Sequence, residues 1–254
     1  MAEIIVVANQ KGGIGKTTTA LSIAPILQEL GYKTLFIDVD AQCNSTDTYN
    51  AEMNGVNTIY DVIIKQDATA LESIQQTDYG EIIAGDRLLT TADVDLTRDA
   101  LTGLTRLKTA LEPLQDIYDY IVMDTNPTVN RLLFNALIAA DTIIIPTSAD
   151  RYGLQGISQI LETVVAIQQG PNPKLKIGGI LLTKYKGNIR LERQVRAELA
   201  EQAEAMNIRL YNTTIRENIK IRESQALQIP PNKYAPKCTA VKDYFELVHE
   251  IIGE

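Results

Sequence analysis

The segment KGGIGKTT, residues 11–18, constrains this chain more than any other feature of its sequence. Closely spaced glycines let consecutive backbone amides point at one oxygen-rich ligand, a lysine brings positive charge to phosphates, and a hydroxyl can bind Mg²⁺. The candidates for these contacts are Gly12, Gly13, Ile14, Gly15, Lys16, Thr17 and Thr18. An apolar run at residues 3–7 precedes the segment and a helical pattern follows it, which is the context that such a loop requires. The sequence therefore predicts a phosphate-binding loop between a buried strand and a helix.

Five runs of apolar and β-branched residues predict the strands of a central sheet. They lie at residues 3–7, 34–39, 120–124, 142–146 and 177–182. Each run is apolar throughout rather than alternating, as in strands covered by helices on both faces. We therefore expect an α/β fold, a single doubly wound domain over residues 1–254 with a mostly parallel central sheet flanked by helices. The nucleotide-binding core should comprise residues 1–45 and 118–185.

Helical periodicity and helix-ending signals predict several helices around this sheet. We expect them from the loop to Gly31, near 57–76, near 99–112, at 188–206 and over the last dozen residues. The segment 188–206 is composed of strong helix formers and places Leu191, Val195 and Leu199 on one face. Residues 41–115 have the least regular pattern, so the two helices there rest on the weakest signal.

Two aspartates stand where predicted strands end. Asp40 follows the second strand, within FIDVDAQCN, and Asp124 ends the third, within YDYIVMDTNPTVN. Because the carboxyl ends of parallel strands form one edge of a sheet, we expect both side chains to lie beside the phosphate-binding loop. Carboxylates at such positions can hold Mg²⁺-bound water or orient the attacking water. The sequence therefore predicts a metal site that involves Thr17, Asp40 and Asp124.

The loop departs from the commonest phosphate-binding pattern in two places, because Gln10 stands where a glycine is usual and Lys11 adds a second lysine. With these features the chain resembles the deviant Walker ATPases, a group of P-loop nucleotide triphosphatases that includes the ParA/Soj partition proteins and MinD. FIDVDAQCN resembles their D-x-D-P-Q-G-N segment, and residues 118–130 resemble D-x-P-P-S-x-G. Residues 135–164 and TTIRENIKIRESQAL, residues 213–227, are most similar to the ParA/Soj subfamily.

This resemblance implies a homodimer that closes on two molecules of ATP and Mg²⁺ and slowly hydrolyses ATP to ADP and phosphate. It implies that Lys11 reaches the partner's nucleotide, that Lys16 binds phosphate, and that Asp40 serves hydrolysis. Thr183 and Lys184 stand where relatives contact the nucleotide base. The resemblance also implies a ParB-like partner, the centromere-binding protein that stimulates hydrolysis.

Positive charge is concentrated in one part of the chain. Residues 184–222 carry nine basic and five acidic residues, a net charge of +4, although the whole chain carries −8. Clustered Lys and Arg suit DNA phosphates, and the resemblance implies non-specific DNA binding by this region. The candidate residues are Arg190, Arg193, Arg196, Arg216, Lys220 and Arg222. Since acidic residues are interspersed among them, an ordinary salt-bridged helix surface remains an alternative.

Other functions of the same scaffold fit the sequence less well. A MinD-like positioning ATPase, the main alternative, needs a basic amphipathic C-terminal helix on anionic lipid, but YFELVHEIIGE is acidic. A metal-cluster carrier needs paired cysteines, whereas Cys43 and Cys238 are isolated and should be free thiols. A small-molecule synthetase would need a substrate pocket that the sequence does not reveal.

The N-terminal segment MAEIIVVANQ bears on localisation. It has neither the basic region of a signal peptide nor an apolar run long enough to span a membrane. We therefore expect a cytoplasmic, nucleoid-associated protein without a membrane partner. Because the first predicted strand begins at residue 3, we also expect no N-terminal DNA-binding extension and no autoregulation of an operator.

Overall fold

The computed structural model describes residues 1–99 and 101–253, and for residues 151–155 the description is limited to the backbone. The described residues form one sheet of eight strands. In chain order these are β1 (Glu3–Val7), β2 (Thr34–Val39), β3 (Ile74–Thr77), β4 (Gly80–Ile83), β5 (Tyr120–Thr125), β6 (Thr142–Ser148), β7 (Lys176–Tyr185) and β8 (Leu210–Arg216). Their order across the sheet is β3-β4-β2-β5-β1-β6-β7-β8, and all neighbours are parallel except β3 with β4. The predicted α/β fold is therefore confirmed.

Helices cover both faces of this sheet. Those in the described residues are α1 (Lys16–Glu29), α2 (Asn44–Thr48), α3 (Ala92–Arg98), α4 (Arg106–Leu111), α5 (Arg131–Ala139), α6 (Arg151–Gln169), α7 (Arg190–Ala205), α8 (Ile219–Ala226), α9 (Pro231–Tyr234) and α10 (Thr239–Ile252). In β1, Ile5 and Val7 belong to an apolar cluster with α1 and α10, whereas Ile4 and Val6 belong to a cluster with α5 and α6. Successive side chains of a strand point to opposite faces, so β1 is buried on both sides as its apolar run predicts.

The register of the central strands brings distant segments to one edge of the sheet. Asp124 of β5 pairs with Val7 of β1 on one side and with Asp38 of β2 on the other. The loops that follow these three strands therefore begin side by side. The loop after β1 is the predicted phosphate-binding segment, and it leads directly into α1.

The end of α1 shows why the helix stops where the sequence predicts. Gly31 adopts a φ of 95°, a left-handed conformation that glycine reaches at little cost. Its N–H donates to the carbonyl of Gln28 at 3.0 Å, and the N–H of Tyr32 donates to the carbonyl of Leu27 at 3.0 Å. These two bonds satisfy carbonyl groups that the last helical turn would otherwise leave unpaired.

The prediction of a helix near 57–76 is wrong. Asp61–Lys65 form a single π-helical turn, and β3 begins at Ile74. At the start of the turn, the carboxylate of Asp61 accepts hydrogen bonds from the N–H and the hydroxyl of Thr58, at 2.8 and 2.9 Å. At its end, Gln66 turns to a φ of 59°. Side-chain bonds to the backbone thus compete here with a continuous helix.

The helix predicted near 99–112 begins later than expected, at Arg106. The carboxylate of Asp99 accepts the N–H of Thr102 at 3.0 Å, which holds the chain in a turn before the helix. A Cβ atom on Gly103 would collide with the carbonyl oxygen of Leu96, so the turn depends on glycine at that position. The preceding helix α3 was not predicted.

Candidate functional site

A cavity of about 630 Å³ lies at the edge of the sheet where β1, β2 and β7 end. Its size suits a small ligand such as a nucleotide. One end is lined by the phosphate-binding loop and the first turn of α1, with Gly12, Gly13, Gly15, Lys16, Thr17 and Thr18. The lining also includes the apolar Leu21, Ile215 and Ile221 and the polar Asn218 and Gln225, and Gln225 Nε2 donates to the Thr18 hydroxyl at 2.7 Å. Asp40, Thr183 and Lys184 also line the cavity, so the structure brings these predicted residues together.

Two glycines give the loop its shape. Gly13 and Gly15 have φ values of 72° and 89°, in the left-handed region that side chains with a Cβ disfavour. Gly15 also caps the amino end of α1, which begins at Lys16, and its carbonyl accepts the N–H of Thr19 at 2.8 Å. Ile14 is buried between them and anchors the loop. The amino end of α1 therefore faces the cavity, where its dipole favours an anion.

Lys16 places a buried positive charge in this loop. Its side chain is 7% exposed, and its Nζ donates to the carbonyl oxygen of Lys11 at 2.9 Å. Burial lowers the pKa of Lys16, while the nearby carboxylates of Asp124 and Asp40 oppose that shift. An ammonium group held in this way gains the most from a further anion, such as a phosphate.

Asp124 is fully buried and only partly hydrogen-bonded. Its Oδ2 accepts a hydrogen bond from the Ser45 hydroxyl at 2.8 Å, but its Oδ1 has no hydrogen-bond partner. Burial, together with the charge of Asp38, raises the pKa of Asp124 to about 8. A buried oxygen that lacks a donor is well suited to a metal ion or to water bound by one. Asp124 thus fits the predicted Mg²⁺ site.

The two aspartates of the FIDVDAQCN segment have different surroundings. Asp38 faces inward: its Oδ2 accepts the N–H and the hydroxyl of Thr46 at 2.9 and 2.8 Å, and burial raises its pKa to about 6. Asp40 lines the cavity, and its Oδ1 accepts the N–H of Gln42 at 3.0 Å. Asp38 therefore holds α2 against β2, and Asp40 is the carboxylate that can reach a ligand.

The described residues contain no cluster of three His, Cys, Asp or Glu side chains arranged to hold a metal. Mg²⁺ keeps several waters and is commonly bound by one or two protein groups together with substrate phosphates. The donor set of Thr17, Asp124 and Asp40 suits that mode of binding. Ser45 and Thr46 position the two buried carboxylates, and sequence reasoning missed both residues.

Thr183 and Lys184 contact the loop from the end of β7. The Thr183 hydroxyl lies 2.6 Å from the carbonyl oxygen of Ile14, and Lys184 Nζ donates to the carbonyl of Gly13 at 2.6 Å. Both side chains thus hold the loop in place as well as lining the cavity. Contact with a nucleotide base stays a prediction for both.

Lys11 is held by the end of β6. Its Nζ lies 2.7 and 2.9 Å from the two carboxylate oxygens of Asp150 and 3.1 Å from the Ser148 hydroxyl. The Lys11 side chain is 26% exposed. In this conformation Lys11 is ion-paired within its own chain. Any contact with a partner's nucleotide therefore requires the ion pair with Asp150 to open.

The six basic candidates fall into two groups. Arg190, Arg193 and Arg196 lie on α7, where the first two are exposed and the Nε of Arg196 is buried without a hydrogen-bond partner. The other three are ion-paired in the chain: Arg216 with Asp243, Lys220 with Glu223, and Arg222 with Glu217. Arg216 and Arg222 also line the nucleotide-sized cavity. Half of the set is therefore ion-paired within the chain, and contact of the six residues with DNA stays a prediction.

The apolar face of α7 differs from the prediction. The helix spans Arg190–Ala205, as expected, and buries Val195, Leu199 and Ala203. Leu191 is 63% exposed and does not belong to that face. Its position in the first turn explains the difference, because the helix packs against the sheet only from Val195 onward.

Similarity to known proteins agrees with this geometry. Residues 2–177 match a family model described as an AAA domain. Over 254 residues the chain is 33% identical to the sporulation initiation inhibitor protein Soj of Bacillus subtilis, covering 99% of this chain and 98% of Soj. It is 32% identical over 255 residues to the chromosome partitioning protein ParA of Myxococcus xanthus, covering 99% and 88%. The chain belongs to the ParA/Soj family.

Solved structures support the same assignment. Apo McdA of Cyanothece superposes with a TM-score of 0.88 at 25% identity, with all of both chains covered. Cobyrinic acid a,c-diamide synthase of Mycobacterium smegmatis, with bound ATP analogue and magnesium, gives 0.85 at 26% identity and covers 100% of this chain and 98% of its own. The resemblance to ParA/Soj proteins is therefore confirmed, and a relative of this ParA/Soj chain binds the predicted class of ligand.

Replacing Asp124 in this ParA/Soj protein by asparagine should stabilise the nucleotide-free fold. The folded state holds the carboxyl pKa near 8, above its ordinary value of 3.8, so its ionisation destabilises the fold as pH rises from about 4 to 8. Asparagine removes that charge and keeps an acceptor for Ser45. We expect a free energy of unfolding higher by about 2 kcal/mol at pH 9, with a smaller gain at pH 5. Urea denaturation without Mg²⁺ measures both, and a gain that does not grow with pH would contradict this account.

Proposed function

We propose that this chain is a dimerising ATPase that acts in DNA partition or segregation. The observation that carries the proposal is the cavity lined by the glycine-rich loop, Lys16 and Asp40, with Asp124 buried near enough to Lys16 to act on its charge. Similarity to Soj and ParA over nearly the full length of the chain supports it.

Binding of ATP follows from the loop and the buried charges. The backbone amides of Gly12–Thr18 and the amino end of α1 would receive the phosphates, and Lys16 would neutralise part of their charge. Thr17 and Asp124 would hold Mg²⁺, which supplies charge neutralisation to the phosphate oxygens when bound. The apolar part of the cavity lining, with Leu21 and Ile221, suits the nucleoside.

Hydrolysis requires a group that orients water near the terminal phosphate. Asp40 lines the cavity, as Glu217 does, and it lacks a set of structural donors like that around Asp38. Positioning and charge neutralisation account for most of the catalysis of phosphoryl transfer, so one such carboxylate beside Lys16 is sufficient for slow turnover to ADP and phosphate.

Dimerisation would use Lys11. Its ion pair with Asp150 is partly exposed, so exchange of that carboxylate for the phosphates of a partner's ATP has a small energetic barrier. Lys184 and Thr183 hold the loop backbone through the carbonyl oxygens of Gly13 and Ile14. The Lys11 side chain can therefore move without the loop.

Binding to DNA would be non-specific. Arg190 and Arg193 are exposed on α7, in the part of the chain that has net positive charge. Phosphate contacts of this kind carry no sequence information and weaken steeply with salt. The relatives' role in chromosome partition supports such binding at the nucleoid, in the cytoplasm, together with a ParB-like partner that stimulates hydrolysis.

The MinD-like alternative is less favoured by the C-terminal helix. In α10, Tyr244, Leu247 and Val248 are buried in the cluster with α1, so the apolar face is already covered by the fold. Glu250 of the same helix accepts the N–H groups of Asn212 and Thr213 on β8. In the part of the chain that the structure describes, no helix has the length and apolar character to cross a bilayer.

Sedimentation with DNA and with anionic liposomes, each with ATP and with ADP, tests the proposal. We expect binding to duplex DNA of any sequence with ATP, little with ADP, and a steep loss of affinity between 50 and 200 mM salt, on the order of tenfold or more. Binding to liposomes with ATP, without binding to DNA, would overturn it.

A double substitution identifies the surface that is involved. Arg190→Ala with Arg193→Ala should reduce DNA affinity about equally for all sequences and lower the salt dependence by about two phosphate contacts. Lys174→Ala is a suitable control, because Lys174 is exposed just before β7, at the opposite edge of the sheet from the cavity.

A further inference from the structure

Two cations of the basic segment share one carboxylate. Lys186 Nζ lies 2.5 Å from Oε2 of Glu217, and an Arg222 terminal nitrogen lies 2.6 Å from Oε1. The Lys186 and Arg222 side chains are 49% and 66% exposed. The hydrogen bond from Lys186, followed by the charges of Lys186 and Arg222, holds the pKa of Glu217 below its usual value. Glu217 is therefore an anion that occupies two surface cations at once.

Glu217 also stands between the nucleotide cavity and α7. It directly follows β8 and lines the cavity together with Arg222. Lys184, which holds the phosphate-binding loop through Gly13, lies close enough to favour its charge. On the other side, the backbone N–H of Lys186 donates to the carboxylate of Glu192 on α7.

The ion pair of Arg216 with Asp243, in the same segment, is built differently. Arg216 donates to both carboxylate oxygens of Asp243 and lies near the Thr239 carbonyl, and the Asp243 side chain is only 11% exposed. The backbone N–H of Arg216 also bonds Asp243, which ties β8 to α10. That pair is part of the fold, whereas the pairs of Glu217 are partly open to water and can be exchanged for other anions at small cost.

We propose that Glu217 is an electrostatic brake on DNA binding, an internal anion that holds Lys186 and Arg222 until DNA phosphates replace it. The inference rests on the DNA binding of the proposed function and adds Lys186 to the surface that contacts DNA. Each phosphate contact releases counterions, so a cation that is already neutralised by Glu217 contributes less to binding. Glu217 and Arg222 also line the nucleotide cavity, so the brake lies beside the nucleotide site.

Glu217→Gln tests the brake. We expect this variant to bind a labelled duplex of arbitrary sequence about tenfold more tightly at ~0.1 M salt. Its affinity should also fall more steeply with salt, by the equivalent of about one to two additional phosphate contacts. The gain should be largest with ADP or without nucleotide, where the wild-type protein binds weakly. Fluorescence anisotropy at several KCl concentrations gives both quantities, and titration with a fluorescent ATP analogue reports any change in nucleotide affinity separately.

Glu201→Gln is the matched control. Glu201 is an exposed residue of α7, and its replacement changes the net charge by the same amount. A gain in DNA affinity that is equal in the two variants would overturn the brake, because net charge alone would explain it. Adding Lys186→Gln to Glu217→Gln should remove about one phosphate contact from the salt dependence, and an unchanged slope would also overturn it.

The same measurements separate this inference from the proposed function. Wild-type protein that binds DNA with ATP, next to a Glu217→Gln variant with unaltered affinity and slope in ADP, overturns the brake alone. Failure of both proteins to bind DNA under every nucleotide condition overturns the DNA-binding function and the brake together.

Discussion

Replacing Lys16 by alanine is expected to reduce ATP affinity about 100-fold. The Lys16 ammonium is buried in the loop, where burial lowers its pKa and where little of the residue is open to water that would compete with a phosphate. Hydrogen bonds to charged groups in such surroundings contribute about 1.5–3 kcal/mol each. Isothermal titration calorimetry with Mg²⁺ and ATP gives the affinity directly.

Lys184→Ala is the control for this substitution. Lys184 Nζ donates to the carbonyl of Gly13, as Lys16 Nζ does to that of Lys11, but the Lys184 side chain is exposed. Its loss should loosen the loop and weaken binding by about tenfold or less. Equal losses in the two variants would show that loop distortion, rather than the buried charge of Lys16, explains the effect.

Replacing Asp40 by asparagine is expected to reduce the rate of ATP hydrolysis about 1,000-fold while ATP binding persists. Asparagine keeps an oxygen for the N–H of Gln42, so the loop after β2 should retain its shape, but it cannot accept a proton from water. Loss of a positioned general base typically costs 10²–10⁴-fold in rate. The dimer formed with ATP should therefore persist for much longer than that of the wild-type protein.

Phosphate release and size-exclusion chromatography with light scattering measure the two effects. Asp38→Asn is an informative comparison, because Asp38 accepts hydrogen bonds from Thr46 and from the N–H of Asp40 inside the fold, so its replacement should not block hydrolysis selectively. An Asp40→Asn protein that hydrolyses ATP at the wild-type rate would remove Asp40 from the mechanism.

The parts of the fold that the sequence predicts well are those decided by local pattern. The five runs of buried, β-branched residues became β1, β2, β5, β6 and β7, because strands covered on both faces leave a continuous apolar signature. The loop at residues 11–18 was equally clear, since its glycines and lysines have few other uses. The helix predicted at 188–206 follows from its composition in the same way. The end of the first helix follows from the conformational freedom of Gly31.

The missed elements lack such a signature. β3 and β4, with the sequences IQQT and GEII, are four residues each. β3 is an edge strand and β4 is its neighbour, and polar side chains are tolerated at this margin of the sheet. β8, LYNTTIR, buries only Tyr211 and Ile215 and is the opposite edge. An edge strand forms because it pairs with a neighbouring strand, and a local sequence pattern does not reveal that partner.

The electrostatics of the site also depend on distant partners. The pair of Lys11 and Asp150 joins residues 139 positions apart, and the bond from Ser45 to Asp124 joins residues 79 positions apart. The sequence therefore predicts which groups could carry chemistry at the edge of the sheet. It does not predict that Asp38 is structural and Asp40 faces the cavity, since both are aspartates of one short segment.

The position of β1 has a consequence for how the chain acquires its fold. β1 is synthesised first, yet both of its neighbours, β5 and β6, lie between residues 120 and 148. A nascent chain must therefore keep the apolar segment EIIVV unpaired until more than a hundred further residues have emerged from the ribosome. Closing such long loops slows folding and leaves aggregation-prone surface exposed. The nucleotide loop directly follows β1, so its position is fixed only when β5 and β6 have paired with that strand.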